Sequence, residues 1–177
     1  MRENYQILQK NSANHVALTP LSFIKRTADI FPDRISIIYG DQQFSWLETY
    51  QRVKKFASAL KRHGIAGGDT VSIMAANTPE MFEAHFGVPM AGAVLKTINT
   101  RLEVETIAYI LEHSDAKLVL VDTAFSKVVK AALNSITQEI FVIDIVDPNQ
   151  PKESTIGSLD YEAFLRTGNP SNEWALP

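Results

Sequence analysis

Residues 70–98, TVSIMAANTPEMFEAHFGVPMAGAVLKTI, decide the fold. The segment opens on a short apolar strand, Thr70 to Ala76, whose β-branched residues suit a buried pleated surface. Thr78-Pro79-Glu80 then starts a helix, with proline at the first helical position, where its missing N–H costs nothing. Met81, Phe82, Phe86 and Met90 ride on this helix, which is expected to bend near Gly87 and Pro89. Ala93 to Ile98 forms the next strand. A helix between two apolar strands is the crossover that lets neighbouring strands run parallel.

Downstream the alternation continues. Thr100-Arg101-Leu102-Glu103 reads as a capping box, opening a helix that turns Ile107, Ile110 and Leu111 inward. Lys117 to Val121 is a strand, Phe125 to Ile136 a helix with Val128, Val129, Ala132 and Leu133 inward, and Glu139 to Ile145 the last strand. Asp147-Pro148-Asn149-Gln150-Pro151 begins a turn-rich surface loop, and Leu159 to Leu165 adds a short helix. Upstream, Thr19-Pro20 caps a helix with Leu21, Ile24, Ala28 and Phe31 on one stripe, ended by Pro32. Ile35–Tyr39 and Gln42–Ser45 flank Gly40-Asp41 as a β-hairpin. Ser45-Trp46-Leu47-Glu48 is a capping box for a helix with Trp46, Tyr50, Val53, Ala57 and Leu60 inward. Lys61-Arg62-His63 complements that helix's C-terminal dipole, and Gly64 supplies the left-handed stop. The expected fold class is α/β: a mostly parallel sheet flanked by helices on both faces, preceded by a helix and a β-hairpin. Residues 1–16 are expected to form a mobile tail, 17–147 the α/β subdomain, and 148–177 a loop and short helix.

The chain has 177 residues, no cysteine, 45% apolar side chains, and 17 basic against 20 acidic groups for a net charge of −3. At this length it buries roughly 70% of its unfolded surface without disulfide or metal staples. The near-neutral balance and lack of basic runs argue against nucleic acid or an anionic membrane as the main partner. The longest apolar run, Ile107 to Leu111, is far short of the roughly 20 residues of a membrane span. Met1 to Asn14 has no apolar signal-like region, so the cytoplasm is the default location.

Self-sufficient catalytic motifs are missing from these 177 residues. There is no Gly-x-Gly-x-x-Gly, no Gly-x-x-x-x-Gly-Lys-Ser/Thr and no Gly-x-Ser-x-Gly. The histidines His15, His63, His85 and His113 form no His-Glu-x-x-His pair, so no metal site is expected. His63 and His113 fall at helix C-termini, where imidazole complements the dipole, and His85 reads as a partly buried structural histidine. Glu80 and Glu83 are spaced as an acid–base carboxylate pair, but first-turn dipole compensation is the stronger reading of Glu80. Asn77 stands at the carboxyl edge of the sheet, where α/β proteins bind ligands, although loop capping outweighs ligand contact there. Asn99, Thr100 and Arg101 occupy the same edge after the next strand. Arg101 is the best anion-binding candidate, because a guanidinium and free helix amides can converge on a phosphate. On the residues alone a plain surface arginine is the stronger reading.

An ordered series of motifs carries a family resemblance: Thr19-Pro20-Leu21-Ser22-Phe23, Phe31-Pro32-Asp33-Arg34, Tyr39-Gly40, Phe44-Ser45-Trp46, Leu60 to Gly64, Gly68-Asp69-Thr70-Val71 and Ala76-Asn77-Thr78-Pro79-Glu80. It continues through His85 to Ala93, Ile98-Asn99-Thr100-Arg101-Leu102 and His113-Ser114-Asp115-Ala116-Lys117. From Ala17 to Leu165 the chain resembles AMP-forming acyl-CoA synthetases, most closely their fatty-acyl and medium-chain branch. The resemblance implies a ligase that uses ATP and Mg²⁺ to turn a carboxylic acid into an acyl-adenylate, then hands the acyl group to CoA. It implies that this chain is only the opening portion of the large N-terminal domain. The phosphate loop, the adenylate-binding segments, the catalytic lysine and most of the acyl pocket would lie further on, leaving no catalytic residue here and an isolated chain unable to adenylate. By the same resemblance Arg101 lies near the CoA nucleotide phosphates, while Trp46 and its capping box serve packing; Asn99 and Asn77 are cofactor-binding candidates by their place at the sheet edge. A homodimer is left open. The rival reading is a free-standing, non-catalytic α/β module binding a small ligand or protein at the sheet edge. Trp174 and Leu176 sit in a final stretch with no visible place to bury, which favours a piece of a larger protein whose partner would cover an exposed apolar face.

Overall fold

The computed structural model describes residues 11, 13–15, 18–150, 154–171 and 173–174. Helix α1, Pro20–Ile30, starts at Thr19, whose side chain accepts the Ser22 amide at 3.2 Å while Ser22 Oγ accepts the Thr19 amide in return. Its stripe Leu21, Ile24 and Ala28 is buried. Phe31, expected on that stripe, is 45% exposed and lies under the Arg34 guanidinium, because the helix stops at Ile30. Strands β1, Ile35–Tyr39, and β2, Gln42–Ser45, form the expected antiparallel hairpin as a sheet of their own, with Gly40 at φ +57° in the turn. Helix α2, Trp46–Arg62, begins with the Ser45–Glu48 capping box and buries Tyr50, Val53, Phe56, Ala57 and Leu60.

The βαβ alternation then appears as β3 (Thr70–Met74), α3 (Pro79–Ala91), β4 (Val94–Thr97), α4 (Val104–His113), β5 (Ala116–Asp122), α5 (Ser126–Asn134) and β6 (Phe141–Ile145). A two-residue strand β7, Leu159–Asp160, precedes α6, Tyr161–Arg166. The sheet order is β4-β3-β5-β6-β7, parallel throughout. Side chains alternate across it, as the two-residue strand period requires. Val71, Ile73, Leu118, Leu120, Ile143 and Ile145 pack under α1, α2, α3 and α6, while Met74, Val119 and Val121 meet α4 and α5. The expected α/β class, with helices on both faces and a leading helix and hairpin, is what forms.

Several local expectations are corrected. Leu159 belongs to an edge strand, because its backbone pairs with Ile143. The capping box expected over residues 100–103 does not form: Asn99 Oδ1 takes the Arg101 amide, and α4 starts later with Glu103 at its N-cap. On α3 the buried face is built mainly of small residues. Glu83, Ala84, Gly87, Val88 and Ala91 are buried together with Met90, whereas Met81, Phe82 and Phe86 are half-buried and His85 is exposed. Gly87 serves packing: a Cβ there would run into the ring of buried Phe56. Trp174 does have a place to bury. The chain after α6 crosses back over α2, with the Asn169 amide on Ser58 Oγ at 3.1 Å, and Trp174 Nε1 donates to the Tyr50 hydroxyl at 2.9 Å against the core. Of the expected tail, residues 1–10, Ser12 and Val16 lie outside the described residues, and within the remainder the His15 amide donates to the Asn11 carbonyl at 2.9 Å. Pro151 and Leu176 also lie outside them.

Candidate functional site

The parallel strands release their loops at one carboxyl edge. From β3 the chain turns through α3 toward β4, and from β5 it turns through α5 on the opposite face toward β6. The crevice between such diverging loops is the ligand position of open α/β sheets. Asp122, 1% exposed, closes its floor: Oδ2 accepts the Ala76 amide at 3.3 Å and Oδ1 the Ala124 amide at 3.0 Å. One buried carboxylate therefore fixes both loops.

Asn77 is exposed beside this point. It lines a cleft of about 400 Å³ between β1 (Ser36 to Tyr39) and the start of α3 (Thr78, Pro79, Met81, Phe82), with His85 at its side. The hairpin is tied across the edge by Tyr39, whose hydroxyl donates to Asp147 Oδ2 at 2.5 Å. That hydrogen bond, together with burial, pushes the phenol up to about 12.

Asn99 and Arg101 lie one loop away, after β4. The Arg101 amide donates to Asn99 Oδ1 at 2.9 Å and the Leu102 amide to the Asn99 carbonyl at 3.3 Å, a turn closed by an asparagine side chain. Arg101 is exposed, and its guanidinium enters no ion pair among the described residues. Glu103, at the N-cap of α4, makes no side-chain hydrogen bond to the first turn, which itself carries Glu105. The fold therefore brings Asn99 and Arg101 together, while Asn77 belongs to a separate cleft.

Glu80 and Glu83 are not an acid–base pair. Glu83 is fully buried, and both its oxygens are taken: Oε1 accepts Arg52 Nε at 2.5 Å, and Oε2 accepts the Tyr161 hydroxyl at 2.7 Å. Arg52 also meets Glu162 at 2.5 Å and lies over the Phe44 ring. Burial pushes the Glu83 carboxyl up to about 7 against the lowering pull of Arg52 and Tyr161. Sequence reading missed this knot of α2, α3 and α6. Its one visible signal was a charge on the stripe of small residues Ala84, Gly87 and Ala91. His63 is likewise structural, with Nδ1 2.9 Å from the Ala59 carbonyl and its ring against Phe164 and Phe141. Among the described residues no cluster of three or more His, Asp or Glu side chains could hold a metal ion.

Comparison with known proteins relates the chain to a family. The family described as AMP-binding enzyme matches residues 24–173. An acetate–CoA ligase of Humulus lupulus is 42% identical over 96% of this chain and 32% of its own length. A peroxisomal benzoate–CoA ligase of Arabidopsis thaliana is 42% identical over 90% of this chain and 28% of its own. Among solved structures, an anthranilate CoA ligase in complex with anthranoyl-AMP superposes with a TM-score of 0.79 at 18% identity, covering 94% of this chain and 31% of that one. A benzoate CoA ligase from Burkholderia xenovorans gives 0.75 at 23%, covering 89% and 30%. At such identities the structural likeness is one of fold. The chain spans about a third of the length of these relatives. With the match running from within α1 to beyond α6, and so through every strand of the sheet, the chain belongs to the family of AMP-binding enzymes.

Proposed function

We propose that this chain is the N-terminal α/β part of an acyl-CoA ligase, a protein that uses ATP and Mg²⁺ to convert a carboxylic acid to an acyl-adenylate and pyrophosphate, then transfers the acyl group to CoA. The observation that carries this reading is the family match over residues 24–173 together with relatives that are CoA ligases. The relatives named for acetate, benzoate and butyrate leave the acid class broad, and a fatty or related carboxylic acid is our proposal for it. We also propose that the 177 residues alone cannot adenylate. Adenylyl transfer needs cations and positioned amides around the phosphates, and the segments that supply them by family resemblance are not in this sequence.

Within this chain the proposed role is to receive the CoA nucleotide. Arg101, exposed and without an ion pair among the described residues, suits a phosphate. Asn77, in its own cleft, is the more distant candidate. The test is Arg101→Ala in the full-length protein. A charge-assisted contact contributes about 1.5–3 kcal/mol, so KM for CoA should rise at least about tenfold, with a much smaller change in KM for ATP. An unchanged KM for CoA would remove Arg101 from the site.

A further inference from the structure

We propose that Asn99 is a positioning residue for Arg101, not a contact to CoA, an inference that rests on the reading of Arg101 as the phosphate ligand. Asn99 can accept through its side-chain oxygen and donate through its amide nitrogen. In this fold the oxygen is engaged: Oδ1 accepts the Arg101 amide at 2.9 Å while the Asn99 carbonyl accepts the Leu102 amide at 3.3 Å. The bond replaces the helix cap that the pattern of Thr100 and Glu103 would have formed.

What this turn does follows from its neighbours. Ile98 is held to the sheet by its amide on the Ile73 carbonyl at 2.8 Å, and Glu103 is held by α4, where the Ile107 amide meets its carbonyl at 3.0 Å. Between these anchors the Asn99 side chain holds the Arg101 backbone. An arginine side chain loses much rotamer freedom on binding an anion, and a loose backbone would add its own ordering cost. With the turn formed, the backbone part is met before the ligand arrives, which is the physical meaning of pre-organisation. Arg101 carries the charge, and Asn99 gives that charge a place.

The experiment uses the full-length protein with Asn99→Ala, Asn99→Ser, Arg101→Ala and the double variant Asn99→Ala/Arg101→Ala. Two readouts are combined: steady-state kinetics with CoA varied, and hydrogen exchange of the Arg101 amide without substrates. Asn99→Ala should speed Arg101 amide exchange and raise KM for CoA about fivefold, the cost of ordering one backbone residue, with kcat nearly unchanged. Asn99→Ser should fall between alanine and wild type, because a hydroxyl closes the same turn more weakly. On the Arg101→Ala background, Asn99→Ala should add nothing further, the signature of a residue acting through its neighbour. An equal additional rise on that background would mean direct contact and would overturn the proposal. Unchanged exchange at Arg101 in Asn99→Ala, or an unchanged KM for CoA, would overturn it as well. If Arg101→Ala leaves KM for CoA at the wild-type value, the site reading itself fails and this proposal falls with it.

Discussion

Arg52 shows what a single residue carries. Its guanidinium holds Glu83, buried on α3, and Glu162 on α6, so losing it would strand the Glu83 carboxylate without a counter-charge. Removing one partner of a buried pair costs about 3–5 kcal/mol, and Arg52→Met should lower stability by about 3 kcal/mol at pH 8, read by urea unfolding. A pH dependence follows with a definite sign. Because burial raises the Glu83 carboxyl from 4.5 to about 7, the folded chain keeps a proton that the unfolded chain releases, so this contribution to stability falls as pH rises from 4.5 through 7. Glu83→Gln should flatten the slope of unfolding free energy across that window relative to wild type. Parallel slopes would show that Glu83 does not titrate there. Sequence placed Glu83 on a helix but not inside the protein, since nothing in residues 79–91 announces an arginine arriving from α2 and a tyrosine from α6.

At the scale of elements, two capping-box patterns had different outcomes. Ser45-Trp46-Leu47-Glu48 forms its box, because the hairpin delivers Ser45 directly to the helix start: the Ser45 amide donates to the Glu48 carboxylate at 2.8 Å. Thr100-Arg101-Leu102-Glu103 does not, because a side chain one residue upstream competes for the turn. Local patterns hold where the backbone entering them is fixed and fail where another acceptor is nearer. Helix α3 carries a second lesson, in the contact between its small residues and α2. Gly87→Ala would gain about 1 kcal/mol of helix propensity. Its new Cβ would nevertheless clash with the Phe56 ring, and Phe56 is fully buried. Overpacking of this kind costs about 1–3 kcal/mol, so we expect net destabilisation, checked by chemical denaturation. Restoration by Phe56→Leu in the same background would identify the contact as the cause.

At the scale of the whole molecule, the chain is an α/β layer whose carboxyl edge presents Arg101, Asn99 and Asn77, with the activity proposed above depending on segments outside it. The purified 177-residue chain supplied with ATP, Mg²⁺ and a fatty acid should release no pyrophosphate above background. Clear release would show that these residues suffice for adenylation. Most of the architecture was legible from residues 19–145, because hydrophobic period and helix stops are local properties of the chain: alternation or continuity marks strands, three-and-four spacing marks helices, and Gly64, Pro20 and Pro79 mark their ends. The sequence by itself therefore determined the element types from α1 to β6, the parallel α/β class, the capping of α2, and the sheet edge on which Asn77, Asn99 and Arg101 stand. Only the tertiary structure decided the strand order β4-β3-β5-β6-β7, the edge pairing of Leu159 with Ile143, the burial of Glu83 under Arg52, the return of Trp174 onto Tyr50, and the use of Asn99 to hold Arg101. Those features need partners distant in sequence, or a competition between neighbouring acceptors, and they are settled only when packing brings the groups within bonding distance.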